Sequence, residues 1–162
     1  HGRASCDSHF ELPVIKSDLS ELKKSDLIPF IGVSDMHVAG MTGHILFSTL
    51  DPDNPVTLSK KIIEGVIRKE IGFSGLLFSD DLSMKALSGD LENLTRASLR
   101  AGCDVVLHCN GNITEMEKVA KGARGLSVSS LNSLALLEQY RKRTVNVKDY
   151  ASLFSKLIDL LN

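Results

Sequence analysis

With 162 residues, 43% hydrophobic, 24% charged and a formal net charge of −1, the chain has the length and balance of one globular unit and not of a disordered or fibrous polymer. The small net charge and the lack of a long Lys/Arg run remove the electrostatic case for a nucleic-acid or anionic-membrane partner, and a neutral small-molecule ligand is expected instead. No apolar run reaches the roughly 18 residues of a membrane span, and three cysteines (Cys6, Cys103 and Cys109) without CxxC spacing speak against a disulfide framework or a zinc site and for a reducing cytoplasm.

The first residues, HGRASCDSHF, carry no initiator Met and no apolar signal core, so the chain is expected to start inside a longer protein. After this polar loop a short helix is expected around residues 18–24. From residue 41 onward short apolar runs alternate with longer amphipathic ones: a strand at 41–47 (MTGHILF), a helix at 58–70, a strand at 75–79 (GLLFS), a helix at 91–101 and a strand at 104–110 (DVVLHCN). In the first of these helices Ile62, Ile63, Val66 and Ile67 share one side while Lys60, Lys61, Glu64 and Lys69 populate the rest, the period of a surface helix with one buried face. The runs at 75–79 and 104–107 are almost wholly apolar, as in parallel strands covered on both faces. Gly72 and Gly102 stand just past the helices, where a left-handed cap is often needed.

Strand starts about 30 residues apart imply consecutive right-handed βαβ units, which suit a closed barrel and an open sheet alike. Residues 126–162 hold helical segments ending in the apolar stripe Leu153, Phe154, Leu157, Ile158 and Leu161. With no repeat beyond the βα period and no linker, residues 1–162 read as part of a single domain.

In parallel α/β folds the carboxyl ends of the strands form the functional rim. Each strand here ends in polar groups: Ser79-Asp80-Asp81 after 75–78, His44 on 41–47, and His108 with Asn110-Gly111 after 104–107. Adjacent strand residues point to opposite faces, so one of Asp80 and Asp81 is expected to face a site, and alternation does not say which. The bland alternatives are a turn or cap carboxylate for the Asps, wall packing for His44 and His108, and core filling for Met41 and Met84. Asp7-Ser8-His9 is a second candidate, because an Asp two residues from a His can hold an imidazolium that both gives and takes a proton. Neither GxGxxG nor GxxxxGK[ST] nor HExxH occurs, so nucleotide and zinc-protease chemistry lack support.

Four strings, HGRASCDSHFELPVI, MTGHILFSTLD, VIRKEIGFSGLLFSDDLSMKAL and RASLRAGCDVVLHCNG, in this order, resemble the second half of the bacterial cytoplasmic β-N-acetylhexosaminidases of glycoside hydrolase family 3, enzymes of peptidoglycan recycling. The likeness spans residues 1 to about 112 and rests most on the DSH loop and the GFSGLLFSDDLSM segment. It implies a (β/α)8 TIM-type barrel of which this chain holds about the last three βα units, so that the upstream strands are needed to complete it. It further implies Asp80 as the nucleophile of a double displacement, His9 as acid/base with Asp7 as its partner, and His1, Arg3, His44, Met84 and Asn110 as sugar contacts. The implied substrate is terminal, non-reducing β-linked N-acetylglucosamine in peptidoglycan-derived muropeptides, with no metal or organic cofactor. The alternatives are a family 3 β-glucosidase or xylosidase, against which the DSH loop speaks, and a non-catalytic carbohydrate-binding or structural fragment.

Overall fold

A computed structural model describes residues 2–36 and 38–142 together with 152 and 154. In chain order these form β1 (Val14–Ile15), α1 (Leu19–Lys24), α2 (Ile28–Gly32), β2 (Gly40–Met41), β3 (Leu46–Phe47), a 3₁₀ turn (Val56–Leu58), α3 (Lys60–Ile62) running into a π-helix (Ile63–Glu70), β4 (Leu77–Asp81), α4 (Leu91–Ala101), β5 (Val105–Leu107), α5 (Ile113–Gly122) and α6 (Val128–Arg141). All strand pairings among them are parallel: β2-β4-β5 form one sheet and β1-β3 a second, two-stranded one.

The expected strand at 41–47 is therefore two strands. Thr42 still donates its N–H to the Phe78 carbonyl, but Ile45 N–H turns back onto the Gly43 carbonyl at 3.0 Å, and Leu46 then pairs with the segment at Pro13. After this bend at Gly43-His44, β3 pairs with β1, just after the DSH loop. The expected short helix forms as α1, with Asp18 and Glu21 making a reciprocal capping box.

Helix 58–70 also forms, with its expected buried face. Ser59 caps its start by accepting the Ile62 N–H at 3.0 Å, and from Ile63 the coil widens to π geometry, with Ile71 N–H reaching Val66 O. Ile63 packs with Phe73, Leu77, Ala101 and Cys103 in one cluster, and Ile62 with Val56 and Val66 in another. Gly102 has φ +123°, and a Cβ there would lie 2.8 Å from Ile63 Cγ2, so the tight helix-to-strand return requires glycine on both counts. Arg68 and Asp104 tie the amino ends of the strands: Arg68 Nη2 donates to Asp104 Oδ2 at 2.9 Å, and the same oxygen accepts the Leu77 N–H at 2.8 Å.

Two readings change. Met41, taken as core, is 58% exposed, because β2 turns this side chain toward a hollow bordered by Leu27, Phe30 and Phe47. The helix α5 was not anticipated, although Asn112 caps it by accepting from Thr114 and Glu115 N–H. Of the C-terminal apolar stripe, Leu153, Leu157, Ile158 and Leu161 lie outside the described residues, while Phe154 is helical and exposed. No helix among the described residues is long and apolar enough to cross a membrane.

Candidate active site

The carboxyl end of β4 departs from a regular ladder. Phe78 pairs with Val105 and Asp81 with Leu107, so three steps on β4 oppose two on β5. The extra residue falls at Ser79-Asp80, and such a bulge re-aims side chains that simple alternation would fix. Ser79, fully buried, fills the gap: its Oγ accepts the Leu107 N–H at 3.0 Å and donates to the Asp80 carbonyl at 2.7 Å.

The two carboxylates beyond it are differently employed. Asp81 accepts the Ser83 N–H at 2.9 Å, the Ser83 hydroxyl at 2.8 Å and the Cys109 N–H at 3.2 Å. Asp80 accepts on Oδ1 the N–H of Asp81 at 2.9 Å, and from the described residues its Oδ2 receives no hydrogen bond. Asp80 also borders a hollow of about 510 Å³ together with Arg3, Asp26, Thr42 and Gly43.

The DSH loop is a tight turn in which the Asp7 carbonyl accepts the N–H groups of Phe10 and Glu11 at 3.0 and 3.2 Å. Asp7 Oδ1 accepts both the His9 backbone N–H at 2.9 Å and the His9 ring Nδ1–H at 2.8 Å. Pinning Nδ1 leaves Nε2 as the nitrogen available to a ligand, and the two side chains are 68% and 57% exposed. The hydrogen bond that His9 donates to Asp7, and then the charge of Asp7, raise the His9 pKa above 6.5, with Asp80 and Asp81 adding to the same effect; the hydrogen bonds from His9 lower that of Asp7. The loop is docked onto the segment after β4 by Ala86 N–H to Ser8 O at 3.3 Å and Lys85 N–H to His9 O at 3.4 Å. The DSH loop thus lies against the segment that follows Asp80 and Asp81, although His9 does not line the hollow that Asp80 borders.

The other sequence candidates are placed as follows. Arg3 borders the hollow but spends its guanidinium on Asp26, Ser17 and Ser25 at 2.9–3.0 Å. Asn110 is exposed and bonded through Nδ2 to Glu115 and through Oδ1 to Asn112 N–H. Met84 is buried. His44 is fully buried, with both ring nitrogens bonded to protein, and presents no atom to a sugar in this arrangement. His108, buried too, pairs Nε2 with Glu115 at 2.9 Å, in line with a wall role. His1 lies outside the described residues. Among the described residues no group of three His, Cys, Asp or Glu side chains gathers as a metal cage.

The model of the glycosyl hydrolase family 3 N-terminal domain matches residues 1–142. The chain belongs to glycosyl hydrolase family 3. It is 32% identical over 154 residues to a beta-hexosaminidase of Pseudomonas aeruginosa, covering 94% of this chain and 43% of that one. To a beta-hexosaminidase of Alkalilimnicola ehrlichii it is 42% identical over 113 residues, covering 68% and 32%. NagZ from Neisseria gonorrhoeae, solved in complex with N-trifluoroacetyl-D-glucosamine, is similar with a TM-score of 0.72 at 31% identity over 85% of this chain and 39% of that one. A glycoside hydrolase family 3 β-N-acetylglucosaminidase from Paenibacillus gives a TM-score of 0.75 at 29% identity over 90% and 31%.

This family 3 chain spans less than half the length of these relatives. The expected fold class agrees with them: the parallel strands β2, β4 and β5, with the helices between and after them, are part of a TIM-type barrel, here about three βα units. Sequence reasoning named Ser79 only as part of the polar end of its strand and did not single out Thr42 and Thr57. Buried hydroxyls in apolar strands and caps were the available signal, since each must find a partner.

Proposed function

We propose that residues 1–162 are the C-terminal part of a single (β/α)8 glycosidase domain whose upstream half completes the site, and that the whole enzyme is a retaining β-N-acetylhexosaminidase. Its substrate is terminal, non-reducing β-linked N-acetylglucosamine on peptidoglycan-derived muropeptides, handled in the cytoplasm without metal or organic cofactor. The observation that carries the assignment within the acidic pair is that, among the described residues, nothing donates to Asp80 Oδ2, beside the committed carboxylate of Asp81. The support for the sugar is the likeness to the Neisseria structure holding an N-acyl glucosamine.

In the first step Asp80 Oδ2 attacks the anomeric carbon, the glycosidic C–O bond breaks, and His9 Nε2–H gives its proton to the leaving oxygen. In the second, neutral His9 takes a proton from water as that water attacks the same carbon, and Asp80 is released. Asp7 suits His9 to both steps by fixing its ring and holding the imidazolium. Of the residues expected to contact sugar, Arg3 remains on the hollow's wall.

The test uses the full-length protein on nitrophenyl β-N-acetylglucosaminide, the corresponding disaccharide and nitrophenyl β-glucoside. Hydrolysis of the first two and not the third is expected. His9→Ala then loses far more rate on the disaccharide, whose alcohol leaving group needs a proton, and with the aryl substrate a glycosyl–Asp80 adduct accumulates that azide discharges. Preference for the glucoside, or equal losses on both N-acetylglucosaminides without azide rescue, overturns the proposal.

A further inference from the structure

We infer that His44, backed by Thr57 and Thr42, is a positioning residue that sets the Asp80 carboxylate through the backbone of Asp81. This rests on the reading of Asp80 as the nucleophile. The three side chains are all buried and form a directed chain. His44 Nε2 lies 2.9 Å from the Asp81 carbonyl; a carbonyl only accepts, so Nε2 carries the hydrogen. In the neutral ring Nδ1 is then an acceptor, and the Thr57 hydroxyl at 2.8 Å donates to it. Thr57 has an alternative acceptor, the Gly43 carbonyl, at a longer 3.4 Å. Its oxygen in turn accepts from the Thr42 hydroxyl at 2.9 Å.

The chain ends where the sheet cannot do the holding. At the bulge between Phe78 and Asp81 the ladder to β5 is out of register, so the backbone that aims Asp80 needs other partners. Ser79 holds the Asp80 carbonyl. His44, reaching across from the β2–β3 bend, holds the Asp81 carbonyl, and the Asp81 N–H holds Asp80 Oδ1 at 2.9 Å. Asp80 Oδ2 is thereby directed by groups that never meet the substrate. The same geometry accounts for the bend at Gly43-His44: a straight strand would carry the ring on along the sheet and away from its two partners.

Two measurements on the full-length protein test this. Thr57→Val removes the donor to Nδ1 at nearly constant volume, Thr57→Ser keeps it, and His44→Gln can satisfy one partner but not both. Thr57→Val and His44→Gln are expected to lower kcat about 10- to 100-fold on both disaccharide and aryl N-acetylglucosaminide, the scale of a nucleophile misplaced by about 1 Å. KM should stay within about threefold, since no sugar contact is lost, and Thr57→Ser should behave as the parent.

The second measurement is the ¹³C-carboxyl titration of Asp80, which should move in Thr57→Val and His44→Gln and not in Thr57→Ser. Thr42→Val, one bond further out, gives a smaller shift in the same direction and serves if Thr57→Val does not fold. A rise in KM alone, an unchanged kcat, a rate loss that disappears at temperatures where all variants are fully folded, or an unmoved Asp80 titration overturns the inference. If the parent protein hydrolyses no N-acetylglucosaminide, the glycosidase reading fails, and the Asp80 titration still decides whether His44 controls this carboxylate.

Discussion

Asp80 and Asp81 are adjacent, similar in burial and identical in chemistry, so replacing each by Ala isolates what their hydrogen bonds do. Asp81→Ala removes the acceptor of the Ser83 N–H, the Ser83 hydroxyl and the Cys109 N–H. Hydrogen bonds to a charged group contribute about 1.5–3 kcal/mol each, but Cys109 is exposed and water replaces that bond, while Ser83 is only half-buried. The expected loss is therefore about 2–3 kcal/mol in total, a fall of about 1 M in the urea midpoint at unchanged slope. Asp80→Ala gives up a single bond, from the N–H of the next residue, and should cost no more than about 1 kcal/mol. The kinetic order is the reverse. Loss of Asp80, the proposed nucleophile, should reduce kcat on the order of 10⁴-fold or more, whereas Asp81→Ala, which disturbs the adjoining backbone, should cost about 10²-fold. Urea unfolding and steady-state hydrolysis of nitrophenyl β-N-acetylglucosaminide on the same preparations measure both axes. A fully stable but dead Asp81→Ala beside an active Asp80→Ala would refute the division of labour.

Two further outcomes follow from the same contacts. Asp7→Ala removes the largest cause of the raised His9 pKa; because the first step needs the imidazolium, kcat/KM falls as pH rises through that pKa, and the alkaline limb should move to lower pH, an upward or absent shift contradicting the Asp7–His9 pairing. At the other end of the strands Asp104→Ala leaves the buried Leu77 N–H without its acceptor and Arg68 without its counter-charge, though Arg68 keeps the carbonyls of Phe73 and Gly75. Since Arg68 and Asp104 are 28% and 18% exposed, the ion pair itself is discounted to about 1 kcal/mol and the orphaned N–H dominates at about 1–3 kcal/mol. Asp104→Asn, which still offers Leu77 an oxygen, should recover most of the loss in urea unfolding, and equal losses for Ala and Asn would make the charge the larger contribution.

The sequence by itself determined the elements whose signal is local. The apolar stripe Ile62, Ile63, Val66 and Ile67 marks a helix because only one face of a 3.6-residue period is buried, and Gly72 and Gly102 after the helices mark returns with positive φ, at Gly102 also too tight for a Cβ. The Asp7–His9 pair was legible for the same reason: two residues of separation in a turn suffice to join them. The tertiary structure alone decided which carboxylate of the acidic pair carries fewer hydrogen bonds from the described residues and which partners His44 meets. Alternation along β4 left Asp80 and Asp81 equivalent, and a one-residue bulge against β5 distinguishes them, with Asp81 bonded to Ser83 and Cys109. His44 reads on its own as either a rim group or a wall residue, and the bend at Gly43 turns it inward onto Thr57 and the Asp81 carbonyl, 13 and 37 residues away. Register and long-range hydrogen bonding depend on the partner strand, and a buried polar group accepts whichever partner the fold brings to it, so neither is written in the local period.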